Sequence, residues 1–265
     1  MCLIAVAWRC HPRYPLALIA NRDELHARPT APAGPDPEWP QVYGGRDLQQ
    51  GGSWLMVSRA RRLAAVTNVR VGLAGEPKPR SRGALVRGFA GSELSAEAWL
   101  EPVQPDAAGY GPFNLLLWDG ASLAFASNHP ESTRRAVVPG VHAMSNGAFD
   151  ALWPKSTHAT QALSEWLDSA RADANKADVA PLLAALADTT TAPDAALPDT
   201  GVGLDLERKL SPPFVRDGRY GTRCSTVVLV GTEGGIRFVE RRFGPDGRVS
   251  GDSDVWLGTC NREAK

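Results

Sequence analysis

Apolar positions in this chain fall into short runs broken by turn-forming residues, the rhythm of many strands rather than of a few long helices. Residues 3–8 and 16–20 are continuous apolar runs on either side of His11-Pro12-Arg13-Tyr14-Pro15, which predicts an antiparallel hairpin with a slightly long loop. Such pairing returns the end of the second strand to the start of the first, about 5 Å away. The polar stretch Asn21-Arg22-Asp23-Glu24 is thereby brought beside Cys2. Residues 28–41 hold five prolines and no sustained periodicity, which reads as an extended surface loop able to rim a pocket.

Further along, residues 53–57 and 63–67 read as strands around the basic turn 58–62. Residues 82–89 and 95–100 have helical spacing, and the apolar runs 113–118 and 123–127 flank Asp119-Gly120, a tight hairpin signal. A strand is predicted over 141–144. Pro154 followed by Ala159, Leu163, Trp166 and Leu167 predicts a helix to about Ala170, with another over 179–186. Residues 187–200, rich in Thr, Ala, Asp and Pro, read as a mobile surface loop. Residues 226–230 and 236–241 form a late hairpin rich in β-branched residues. Strands early and late with helices between them predict one mixed α/β sandwich, a single domain over residues 1–265.

Composition removes several function classes. Lys plus Arg and Asp plus Glu each total 29, so net charge is zero and no strong field draws the chain to nucleic acid or an anionic surface. The uncharged apolar runs fall far short of the roughly 20 residues a membrane helix needs, so no membrane insertion is expected. No basic segment precedes the apolar start, so no signal peptide is read and a cytoplasmic location is expected. Cys2, Cys10, Cys224 and Cys260 lack CxxC spacing and read as thiols. The five histidines lack HxxxH or HxH spacing, and Gly51-Gly52 opens no phosphate-loop pattern, so no metal and no cofactor is expected.

Cys2 remains. Taken alone it reads as a small hydrophobe opening a strand. If Met1 is removed, however, one residue carries both a thiol and an α-amine whose usual pKa is roughly 7.7 to 8.0, a nucleophile with its own base. An acid beside that amine orients it, and a nearby guanidinium favours thiolate. Arg22 with Asp23 or Glu24 supplies these groups. Asn68 and Asn146 are candidate oxyanion donors, and Arg223 is a candidate clamp for the nucleophile or for a substrate carboxylate.

At Asn21-Arg22-Asp23-Glu24 the chain resembles the NRDE protein family, also called the Transport and Golgi organisation protein 2 family. Gly51-Gly52-Ser53-Trp54-Leu55, Thr67-Asn68-Val69-Arg70, Ser81-Arg82-Gly83, Ser145-Asn146-Gly147 with Trp153-Pro154-Lys155, and Tyr220-Gly221-Thr222-Arg223 look like its later motifs, in family order. The family is similar to N-terminal nucleophile hydrolases of the choloylglycine hydrolase group, which implies an α+β fold, the four-layer αββα sandwich. By that resemblance Cys2 matches the nucleophile, with Arg22, Asp23, Asn68, Asn146 and Arg223 as catalytic positions and Asn21, Glu24 and Trp54 near the substrate. The wider group separates its arginine and aspartate by two residues, whereas Arg22 and Asp23 are adjacent, so Asp23 and Glu24 both stand for the supporting acid.

Two functions follow. One is an N-terminal-cysteine hydrolase that cleaves a non-peptide amide or a thioester of a hydrophobic small molecule. The other is a non-catalytic carrier of a hydrophobic ligand such as haem or an acyl lipid, because family members are linked to haem trafficking and lipid metabolism. Its haem binding would be weak, since no CxxCH motif is present.

Overall fold

The computed structural model describes residues 2–73, 78–173 and 176–259. Met1, the side chain of Cys2, and Cys260 lie outside the described set. The predicted first hairpin is present: β1 (Cys2–Trp8) pairs antiparallel with β2 (Leu16–Leu25), Cys2 opposite Arg22 and Trp8 opposite Leu16. β2 runs past its apolar half because the polar end Asn21 to Leu25 is itself paired on its other side.

Two antiparallel sheets are built this way. In the seven-stranded one, β3 (Thr30–Pro35), β4 (Val42–Asp47), β5 (Leu55–Ser58), β6 (Arg62–Asn68), β7 (Phe113–Trp118), β8 (Leu123–Ser127) and β9 (Thr133–Ala136) follow in chain order. The six-stranded sheet adds β10 (Gly140–Met144), β11 (Tyr220–Val230), β12 (Ile236–Phe243) and β13 (Val249–Leu257) around the first hairpin, in the order β10-β1-β2-β11-β12-β13. The N-terminal strand is therefore interior to a sheet, not an edge.

Strand parity sorts the side chains into layers. Ile4, Val6 and Trp8 face the other sheet and pack with Leu55, Val57, Leu116 and Trp118. Leu3, Ala5 and Ala7 face away, against Ala159, Leu163 and Trp166 of α3 (Pro154–Leu167) and Leu182 and Leu186 of α5 (Ala180–Leu186). On the second sheet Met56, Ala64 and Val66 pack under Leu85, Val86 and Phe89 of α1 (Arg82–Gly91), beside α2 (Ala96–Leu100). The order helix, sheet, sheet, helix is an αββα sandwich. No described helix is long and apolar enough to cross a membrane.

Four expectations change. The proline-rich stretch is not a loop throughout: β3 lies within it. As an edge strand it tolerates Pro32 and Pro35, because a proline facing out removes no ladder bond. β9 and β13 are the other unannounced edges, too polar to show alternation. The helix from Pro154 ends at Leu167, and α4 (Ala170–Asp173) is separate. Finally, residues 187–200 are tied down rather than loose. Phe214 N donates to Asp188 O (2.9 Å), Ala192 N to Ser211 Oγ (3.0 Å), and Thr200 N to Glu207 Oε1 of α6 (Leu204–Leu210) at 2.9 Å.

Glycines set the approach of α1 to the sheet. A Cβ at Gly52 would lie 2.4 Å from the Gly83 carbonyl carbon, and Ser53 N donates to Gly83 O at 3.1 Å. The start of α1 is thus held backbone to backbone against the β4–β5 turn. A Cβ at Gly45 would come within 2.2 Å of the Trp54 ring. We expect Gly45→Ala to cost about 1–3 kcal/mol by overpacking, read as a lowered thermal midpoint, with indole fluorescence reporting displacement of Trp54.

Candidate active site

Residue 2 occupies the first register position of β1, opposite Arg22. Arg22 shares parity with Leu18 and Ala20, so its side chain lies between the sheets, 5% exposed. There its guanidinium stacks over the Trp54 ring at 4.3 Å and donates from Nη1 to Thr30 Oγ1 at 3.2 Å. Glu24, on the same face, approaches Arg22 only to 3.9 Å and Arg28 to 3.8 Å. Arg28 is held more firmly by Asp47, at 2.6 and 3.1 Å.

Asn21 and Asp23 have the opposite parity and face the helices. Asn21 donates to Leu186 O (2.8 Å) and Pro213 O (2.9 Å) and accepts from Ser225 Oγ (2.6 Å), so its amide is taken up in joining β2 to the helix layer. Asp23 is 1% exposed and accepts from Thr222 Oγ1 at 2.7 Å. A β-bulge makes that bond. Between Cys224 opposite Arg22 and Thr222 opposite Asp23, Arg223 is an extra residue, and it shifts Thr222 to the helix side. Burial pushes the Asp23 carboxyl above the usual carboxylate range, opposed chiefly by the Lys155 ammonium and then by the Thr222 hydroxyl.

Lys155 links this acid to the asparagines. Only 3% exposed, it donates from Nζ to Leu210 O at 3.2 Å and to Asn146 Oδ1 at 3.5 Å. Asn146 is fully buried, and its Nδ2 donates to Asn68 O (3.0 Å) and Asn68 Oδ1 (3.2 Å). Its oxygen faces an ammonium and its nitrogen two oxygens, a consistent amide assignment. Both of its N–H groups are committed to Asn68, which itself lines the cavity. Arg70, two residues on, donates its backbone N–H to Asn146 O at 2.7 Å. Its guanidinium pairs with buried Glu207 and lies over the Trp153 ring at 5.3 Å. Sequence reasoning left Lys155 and Thr222 out of the site. For Lys155 a signal existed, because a cation in the first turn of a helix opposes the macrodipole. The bulge that recruits Thr222 has no such mark.

A cavity of about 120 Å³ opens here, its walls including Arg22, Asp23, Glu24, Trp54, Asn68 and Arg82. Its lining is mainly polar. Arg223 lines a neighbouring cavity instead and donates from Nη1 to the carbonyls of Leu25 (2.9 Å), Arg28 (3.2 Å) and His26 (3.3 Å). Burial, then the adjacent Arg22, pushes its pKa down. Among the predicted positions, then, Arg22, Asp23, Glu24, Trp54 and Asn68 meet in one cavity with Asn146 behind it, while Asn21 and Arg223 stand to either side.

Comparison with known proteins agrees with this architecture. The chain is 32% identical over 264 residues to the bovine Transport and Golgi organization protein 2 homolog, covering 91% of this chain and 92% of the relative. The human homolog is 30% identical with the same coverage. Among solved structures, the Caenorhabditis elegans ortholog of N-acylethanolamine-hydrolyzing acid amidase superimposes with a TM-score of 0.50 at 11% identity, covering 86% of this chain and 92% of that one. A mutant conjugated bile acid hydrolase from Clostridium perfringens gives 0.50 at 7% identity, covering 96% and 92%. These place the fold with N-terminal nucleophile hydrolases. With the profile of Transport and Golgi organisation 2 matching residues 1–245, the chain belongs to that family.

Proposed function

We propose that this protein is an N-terminal nucleophile hydrolase, cleaving a non-peptide amide or a thioester of an apolar small molecule through an acyl-thioester on Cys2. The reading rests above all on the register that sets residue 2 opposite Arg22, at the end of the sandwich where Asp23, Lys155, Asn146 and Asn68 are joined. Met1 must be removed. The α-amine of Cys2 then takes the thiol proton and the sulfur attacks the carbonyl carbon, whose π pair moves to oxygen. Asn68, oriented by Asn146, donates to that oxyanion. Collapse breaks the carbon–nitrogen bond, and the ammonium returns its proton to the departing amine. Water, deprotonated by the same amine, attacks the thioester, releases the acid and restores the thiol.

The remaining residues have assigned tasks. Arg22 favours thiolate, and Asp23 rather than Glu24 supports the amine, because Glu24 shares its face with Arg22 and Arg28. The cytoplasm is the compartment we assign, in keeping with the free exposed thiol of Cys10.

In the processed protein, we expect iodoacetamide to alkylate Cys2 at least tenfold faster than Cys10, as read by intact mass and peptide mapping. Retention of Met1 in protein from its native host, or equal reactivity of the two thiols, overturns the reading. Against a panel of acyl-aminocoumarin amides, Cys2→Ala should abolish turnover and Asn68→Ala should lower kcat by about 10²–10³.

Asp23 predicts a pH effect. Its folded-state pKa is raised, so the folded state binds more protons than the unfolded one between the usual carboxylate pKa and the raised value. Stability falls as pH rises through that window. Asp23→Asn should therefore melt above the parent at pH 7, with the difference vanishing below about pH 4, near the ordinary carboxylate pKa, while turnover is lost.

A further inference from the structure

A second cavity, of about 230 Å³, lies across Trp54 from the first, with Thr30, Arg223, Arg242, Phe243 and Ser250 among its walls. Irregular strands make the space. In β3 the pairing with β4 shifts between Ala31 and Gly34. Ala33 N there donates to Glu240 Oε1 of β12 at 2.9 Å, pinning the edge of one sheet to the other. The bulge at Arg223 provides the facing wall.

The charges of this compartment do not cancel. Glu240, 1% exposed, is occupied by Ala33 N and by Arg242 Nη1 at 3.1 Å. Arg242 also donates from Nη1 to Ser253 Oγ (2.8 Å). Arg223 differs: its hydrogen bonds engage Nη1 alone, all to carbonyls, and among the described residues no carboxylate forms an ion pair with it. Arg22 repels it, and Glu24, the carboxylate that attracts it, is already shared by Arg22 and Arg28. A half-buried guanidinium with its Nε and Nη2 edge uncommitted suits a planar carboxylate, which accepts two parallel N–H bonds. Phe243 and Trp54 supply apolar surface alongside it.

Trp54 lines both compartments. Neither cavity alone reaches the roughly 300 Å³ at which pockets for drug-sized ligands begin. The shared wall is the Trp54 ring with Arg22 stacked on it, and Arg22 reaches Thr30 of the second compartment. We propose that this second compartment binds a carboxylate at the end of an apolar body, held by Arg223, so that the ligand is an amphipathic monocarboxylate lying across Trp54. What that carboxylate is attached to, an amide or thioester reaching Cys2, rests on the hydrolase reading. The binding itself does not.

The test uses the full-length Cys2→Ala chain, in which no turnover can occur, titrated by calorimetry with octanoate, octanamide and octylammonium. Octanoate should bind at least tenfold more tightly than either of the others. Ser250 is exposed on β13, so Ser250→Glu brings a negative charge to the compartment without touching the carbonyl contacts of Arg223. It should weaken octanoate at least tenfold, leave octanamide unchanged and leave the melting temperature unchanged. Octanoate binding no tighter than octanamide, or octanoate binding indifferent to Ser250→Glu, overturns the proposal. An inert Cys2 alongside selective octanoate binding would fail the hydrolase reading alone.

Discussion

The pairing of β1 inside the six-stranded sheet is the constraint on which the site depends. A strand flanked on both sides, by β10 and β2, has its register fixed by two ladders. A one-residue slip would exchange Ile4, Val6 and Trp8 with Leu3, Ala5 and Ala7 between two differently shaped cores. The backbone of residues 2–8 is thereby located to within one position, which a frayed strand could never achieve. Because the same strand β2 is also paired to β11, residue 2, Arg22 and Cys224 stand in one row across three strands.

The bulge at Arg223 divides the chemistry of that row. Without it, alternation would put Thr222 on the face of Cys224, between the sheets. With it, Thr222 reaches Asp23 on the helix side, and Arg223 turns to the carbonyls of residues 25–28. Two adjacent residues, Arg22 and Asp23, thus serve opposite faces of one sheet, a cation between the sheets and an acid beneath the helices. The adjacency that left the acid open in the sequence is what alternation requires if the two groups are to approach one residue from two sides.

How much of this could be read beforehand follows from the physics of each element. Hairpins with both faces buried showed themselves by continuous apolar runs and turn residues: β1–β2, β7–β8 and β11–β12 all lie where the pattern put them. The edges β3, β9 and β13 did not, because an edge needs little apolar alternation, and β3 uses prolines that normally argue against a strand. In the site, hairpin geometry brought the stretch 21–24 beside residue 2, with Asp23 and Glu24 left as alternative acids. Glu207 could not be read this way, because it is buried through a contact between segments far apart in sequence, and for Lys155 the local mark, a cation in the first turn of α3, does not say which distant groups it meets.

Those unforeseen charges explain how the cavity end holds its shape. Burying Lys155, Asp23, Arg70 and Glu207 is unfavourable for each alone, and an ion pair of this kind contributes less to stability than an apolar pair of equal volume. What the pairs provide is a fixed arrangement. Lys155 bonds the amide oxygen of Asn146, Asn146 bonds Asn68, and Arg70 binds the backbone of Asn146 while its side chain is clamped by Glu207 and Trp153. The amide of Asn146 has both its oxygen and its nitrogen engaged, so it cannot turn without stranding a buried polar group, which costs about 1–3 kcal/mol. Asn68 consequently faces the cavity in one orientation, held by residues that themselves take no part in lining it. Preorganisation of this kind is what the proposed oxyanion role of Asn68 draws on.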